Sequence, residues 1–245
     1  MELASKRNGR SPFLCLCRNE QRQSGFRAAC GAGKEGKGDT LAVAYIDSVA
    51  LGVGQFCTNP GLVFALDWPD LEDFIDHAAT AICKKETQTM LTAGIAGAYK
   101  SGIEARDASG AQQIATGVKG DVASGALPVL YRVSAEQFMA TPHLTDKIFG
   151  PTSVIVTCRD EDELIAVTRT LEGQLTATLL MENDDADIAI ARRLLPVLER
   201  KVGRILANGF PTGVEVSYAM VHGGPFPATS DSRSTSLARL PSNDF

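Results

Sequence analysis

The sequence predicts an α/β fold, a mainly parallel sheet with helices on both faces. From residue 61 to 207, compact apolar runs alternate with longer amphipathic stretches, and Gly/Pro-rich segments separate many of them. Runs that are apolar at nearly every position read as strands buried on both faces, which is the pattern of a parallel sheet layered between helices.

Residues 61–66 (GLVFAL) form the first such run. Pro69 then opens a helix that sets Leu71, Phe74, Ile75, Ala78, Ala79 and Ile82 on one face. The Gly/Ala-rich region 90–125 is less regular and predicts short helices with a strand near 113–118. Residues 128–133 read as strand, and Ser134 with Gln137 has the capping-box spacing that starts a short helix. The β-branched run 152–158 is a strand, Asp160 caps a helix with Glu163 at its third position, and 174–181 is a strand. A long helix over 183–201 and a strand over 203–207 complete the alternation. In open α/β sheets, sites belong to loops at the carboxyl ends of strands, so the Gly/Pro-rich loops are expected there.

The 245 residues are 44% hydrophobic and 22% charged, enough for one sizeable core, and nothing marks the chain as collagenous or membrane-spanning. Residues 1–40 hold eight Lys/Arg against four Asp/Glu, whereas the remainder holds 16 against 25. An acidic folded part argues against nucleic acid as a partner. The six cysteines, Cys15, Cys17, Cys30, Cys57, Cys83 and Cys158, have no regular spacing and no secretory signal before them. Reduced thiols in a cytoplasmic compartment are therefore expected. Cys83 is expected on the apolar face of a helix and Cys158 at the end of a buried strand. His77, His143 and His222 lie far apart, so no metal site is expected.

The chain divides near residue 40. Residues 1–40 lack an apolar period and read as irregular or disordered, residues 41–236 as one folded domain, and 237–245 as a tail. Gly31-Ala32-Gly33-Lys34-Glu35-Gly36 satisfies G-x-G-x-x-G, but no sufficient strand precedes it. Its P-loop likeness fails because Gly38 comes after Lys37 where Ser or Thr is needed to reach magnesium. A flexible linker is the expectation.

The run Gly54-Gln55-Phe56-Cys57-Thr58-Asn59-Pro60-Gly61 sets a lone cysteine in a turn between apolar runs. A thiol there can stand free of the core beside a backbone N–H and act as a nucleophile, although most cysteines are simply small buried hydrophobes.

This segment resembles the nucleophile segment of the aldehyde dehydrogenase family. Ile148-Phe149-Gly150-Pro151 resembles the family's cofactor-facing loop. Asn208-Gly209-Phe210-Pro211-Thr212-Gly213-Val214-Glu215-Val216 and His222-Gly223-Gly224-Pro225-Phe226-Pro227 resemble the segments that line its substrate funnel. With Ser234-Thr235-Ser236, these look like the branch that oxidises alpha-ketoglutaric semialdehyde (2,5-dioxovalerate). The likeness runs from about Ala44 to Ser236 and covers the second half of such an enzyme, without its N-terminal Rossmann half.

The resemblance implies oxidation of an aldehyde, a small-molecule substrate, to the acid. Cys57 would add to the carbonyl to give a thiohemiacetal, with NAD or NADP as hydride acceptor and a thioester left for hydrolysis. Phe149 would pack beside the nicotinamide, and Asn208, Phe210 and Phe226 would bind substrate. Taken alone, Phe149 is equally a core filler and Asn208-Gly209 a turn. His222 reads as a wall residue. Arg233 could meet a distal carboxylate of the substrate, or be a solvated arginine.

Two features depart from the family pattern. The glutamate of a Glu-(Leu/Met)-Gly motif, the family's general base, is not found before Cys57. Lys147 stands where family members carry a ribose-binding glutamate, and an ammonium offers only donors. Two readings therefore stay open: the catalytic part of an NAD(P)-dependent enzyme, acting as a homo-oligomer or with a missing N-terminal half, or a catalytically silent fragment serving at most as a subunit-binding module.

Overall fold

The computed structural model describes residues 2–4, 11–15, 37–67, 71–181, 185–212 and 224–225. Strands β1 (Glu2–Ala4) and β2 (Ser11–Cys15) precede helix α1 (Lys37–Ala50) and strand β3 (Pro60–Leu66). Then come α2 (Leu71–Ile82), the two-residue strand β4 (Gln88–Thr89), α3 (Ala93–Ala108), β5 (Gln112–Thr116) and the two-residue strand β6 (Gly125–Ala126). The series closes with β7 (Val129–Ser134), α4 (Ala135–Ala140), β8 (Thr152–Cys158), α5 (Glu161–Thr170), β9 (Gln174–Leu180), α6 (Asp185–Leu198) and β10 (Val202–Ala207).

The main sheet runs β10-β9-β1-β2-β3-β8-β7-β5. The β10–β9, β2–β3, β3–β8 and β8–β7 pairs are parallel, while β1 and the outer strand β5 run antiparallel to their neighbours. Leu62 to Leu66 on β3, Thr152 to Val156 on β8 and the whole of β9 are buried, as strands covered on both faces must be. Helices α1 and α2 pack together against the sheet, and α4, α5 and α6 form a second group.

Local chemistry explains most element boundaries. Ser134 accepts from the Gln137 N–H at 3.1 Å, and Asp160 from the Glu163 N–H at 2.8 Å, so each satisfies one orphan donor at a helix start. Helix α2 buries Leu71, Phe74, Ile75, Ala78 and Ile82, the face that its apolar spacing predicts.

The structure corrects several expectations. Within residues 1–40, expected to be mostly loop, β1 and β2 join the sheet and α1 starts at Lys37. Strand β2, helix α1 and strand β3 form a parallel crossover. Cys83 lies just past the end of α2 and is exposed, because the helix stops at Ile82. A 16-residue helix, α3, occupies much of the region that reads as irregular; most of its residues stay exposed, so it has almost no apolar stripe to read. Among the described residues, no helix is long and apolar enough to cross a membrane.

Candidate active site

Helix α1 ends in a tight turn, Leu51–Gly54, in which Gly52, Val53 and Gly54 all take positive φ (55°, 58° and 64°). For a β-branched residue such as Val53 this is a strained conformation, of the kind held at functional turns. Three bonds fix the segment between this turn and β3. The Gln55 N–H donates to Gly52 O at 3.1 Å, Gln55 Oε1 accepts from the Leu91 N–H at 2.9 Å, and buried Asn59 donates through Nδ2 to Val49 O at 2.7 Å. Cys57 is half-buried within this frame, between exposed Phe56 and buried Thr58.

The second loop stands beside the first. Because β3 and β8 are parallel, with Leu62 opposite Val154, the turns that enter them lie at the same edge of the sheet. A Cβ on Gly54 would lie 2.2 Å from Gly150 C, so only glycine permits this approach. Gly150 is pressed from its other side, where a Cβ would lie 2.2 Å from the Tyr99 ring. Tyr99 is itself held by a bond from Oη to Leu127 O at 2.6 Å. Lys147 spans both loops: its Nζ donates to Phe56 O at 3.4 Å and lies 4.9 Å from the centroid of the Phe149 ring.

The Cys57 and Phe149 loops therefore sit at the amino edge of the sheet, not at the carboxyl edge expected of an open α/β site. Each leads into a strand rather than out of one.

The predicted substrate residues fare differently. Asn208 comes directly after β10 with φ of 54°, donates its N–H to Leu179 O at 2.8 Å and accepts at Oδ1 from the Met181 N–H at 2.8 Å. Its side-chain oxygen thus closes the end of β9. Phe210 is half-buried and stacks on Tyr45 of α1, ring centroids 6.5 Å apart, and Thr212 meets Ser48 one turn further along. The segment after β10 thereby runs along α1 toward the turn that carries Cys57. Phe226, His222 and Arg233 lie outside the described residues.

The structure adds Arg204 on β10 to the residues that the sequence singles out. Burial lowers its pKa, and the charge of Cys57 opposes that shift, so guanidinium and thiol lie within electrostatic range. A lone arginine inside the apolar run Val202–Ala207 is the signal that marks it.

The fold and these paired loops define a class: the architecture is that of the aldehyde dehydrogenases. A Sinorhizobium meliloti structure complexed with NAD, assigned as a methylmalonate-semialdehyde dehydrogenase, superposes with a TM-score of 0.64 at 15% identity, covering 91% of this chain and 42% of its own. No family model matches the chain. It is 53% identical over 213 residues to alpha-ketoglutaric semialdehyde dehydrogenase 2 of Azospirillum brasilense, covering 86% of this chain and 39% of that protein. With alpha-ketoglutaric semialdehyde dehydrogenase of Acinetobacter baylyi it shares 42% over 207 residues, covering 82% of this chain and 38% of the relative. The chain is similar to part of each of these curated relatives and spans about two fifths of their length.

Proposed function

We propose that this chain carries the nucleophile portion of an aldehyde-oxidising enzyme, with residues 41–236 as its catalytic domain, and that its substrate is an acidic semialdehyde such as alpha-ketoglutaric semialdehyde. The observation that carries the reading is the setting of Cys57: a half-buried thiol three residues after a strained, glycine-dependent turn that is packed on the loop holding Phe149. The names of the 53% and 42% identical relatives supply the substrate class.

Cys57 as thiolate adds to the aldehyde carbonyl, and the oxyanion that forms needs donors already in place. Arg204, within electrostatic range of Cys57, offers a cation to a negatively charged substrate. Phe210 shapes the approach from the side of α1, whereas Asn208 holds the segment in place through its bond to Met181. Phe226 is assigned to the funnel on resemblance alone.

NAD or NADP, when bound, supplies the hydride acceptor of this chemistry. The loop here does not fit the ribose contact expected of it. Lys147 offers only donors and is engaged with Phe56 O and the Phe149 ring, and Asp146 Oδ2 is turned to His143 Nδ1 at 3.1 Å. Lys147, the residue directly before Ile148 and Phe149, thus provides no acceptor there. Addition at Cys57 requires no cofactor and is the step assigned to this chain; steady reduction of NAD(P) by the isolated 245 residues is not expected.

The test is protection. Alpha-ketoglutaric semialdehyde should shield Cys57 from iodoacetamide while leaving exposed Cys83 equally reactive, as read by peptide mapping. Equal labelling of Cys57 with and without aldehyde would leave the silent-fragment reading standing.

A further inference from the structure

Helix α3 sets Ala96, Gly97, Tyr99, Lys100, Ile103 and Glu104 along one wall of a pocket of about 650 Å³, and the segment from Lys119 to Val129 forms the other wall. This is within the range of about 300–1,000 Å³ typical of small-molecule sites. The volume exists because α3 presents alanine and glycine at 96 and 97, where longer side chains would fill it. Its floor is apolar, backed by the small cluster of Met90, Tyr99 and Ala126, with Ile95, Ala96, Ile103 and Ile148 packed on it. Two cations sit among the lining residues. Lys100 is 4.0 Å from Glu104, both side chains exposed, and Lys119 makes no ion pair among the described residues.

The pocket is distinct from the Cys57 turn. Tyr99 separates them, its ring against Gly150 on one side and its residue lining the pocket on the other. An apolar floor with an excess of positive charge selects a ligand with a hydrocarbon body and one anionic end. We propose that this pocket is a second binding site, for a medium-chain carboxylate, that does not depend on the aldehyde chemistry at Cys57.

Decanoate, titrated calorimetrically into the full chain at sub-millimolar concentration, is the probe. It should bind at one site, and decyltrimethylammonium, with the same chain and the opposite charge, should not. Lys119→Gln should weaken decanoate about threefold, the scale of one exposed charge. Ala96→Phe, which fills the pocket, should abolish binding, with thermal unfolding showing that the variant still folds. Cys57→Ala should bind decanoate as the parent does, which separates this site from the proposed reaction. Equal binding of the two amphiphiles, or decanoate binding untouched by both Lys119→Gln and Ala96→Phe, would overturn the proposal.

Discussion

Gly54 lies against the backbone of Gly150: a Cβ on Gly54 would stand 2.2 Å from Gly150 C and 2.4 Å from Pro151 N. The turn that carries the thiol and the loop that carries Phe149 are thus one packed unit, and each glycine is fixed by its neighbour as well as by its own φ.

Gly54→Ala should therefore destabilise the fold. Backbone strain at φ of 64° alone costs roughly 1–3 kcal/mol, before the collision with Gly150 is relieved. Gly61→Ala is the control, since a Cβ there meets nothing within 4 Å. Urea unfolding should show a lower midpoint for the first and little change for the second. Equal midpoints would mean that the two loops are not in contact.

The three fully described thiols make a graded series. Cys83 is exposed, Cys57 half-buried, and Cys158 fully buried, with its pKa pushed well up by desolvation first and then by the charge of Glu163. Exposure alone orders them Cys83, Cys57, Cys158. A nucleophilic Cys57 should instead match or outpace Cys83 with iodoacetamide at neutral pH. Labelling that simply tracks exposure would remove the case for a nucleophile.

Arg204→Met tests whether the guanidinium acts on Cys57. The substitution keeps an unbranched apolar stem and removes the charge that interacts with Cys57. Alkylation of Cys57 should slow by roughly threefold to tenfold, the weight of one partly screened charge, while Cys83 in the same sample reacts unchanged. An unchanged ratio between the two would show that Arg204 does not act on the thiol.

Features encoded by neighbouring residues are legible in the sequence, and features made by distant ones are not. The run 152–158 predicts β8 over the residues that form it, because burial on both faces selects β-branched and apolar side chains throughout. The caps at Ser134 and Asp160 are legible because each cap lies within four residues of its partner. Helix α1 is hidden although Leu41, Ala42, Tyr45, Ile46 and Val49 form its buried stripe, since its start lies in a glycine-rich run with poor helix-forming character. At the site, the sequence singles out Cys57 and Phe149, and their order before the strands at 61–66 and 152–158 already sets the amino edge; what it does not show is that the two loops are neighbours, which depends on how β3 pairs with β8. The bond from Met181 to Asn208 is not legible in the sequence, because it spans 27 positions and leaves no local trace. Arg204 is marked by its place in an apolar run, but its nearness to Cys57 is not legible, being made only by the sheet.

Arg132 on β7 grips Glu72 on α2 through both terminal guanidinium nitrogens, Nη1 to Oε2 at 2.9 Å and Nη2 to Oε1 at 2.7 Å, and so ties the second helix to the sheet in a pH-dependent way. The hydrogen bond from Arg132 lowers the pKa of Glu72 below 4.5, with burial opposing and the arginine's charge assisting. A carboxylate whose folded pKa is depressed stabilises the fold above its unfolded pKa, and that contribution is lost as pH falls through the lowered value. The Glu72 side chain is 61% exposed, so solvent screening limits the pair to under about 1 kcal/mol. Glu72→Gln should lower the urea midpoint slightly at pH 7, and the difference from the parent should shrink toward zero well below pH 4.5. A difference that persists at about pH 3 would assign the loss to packing of the side chain rather than to its charge.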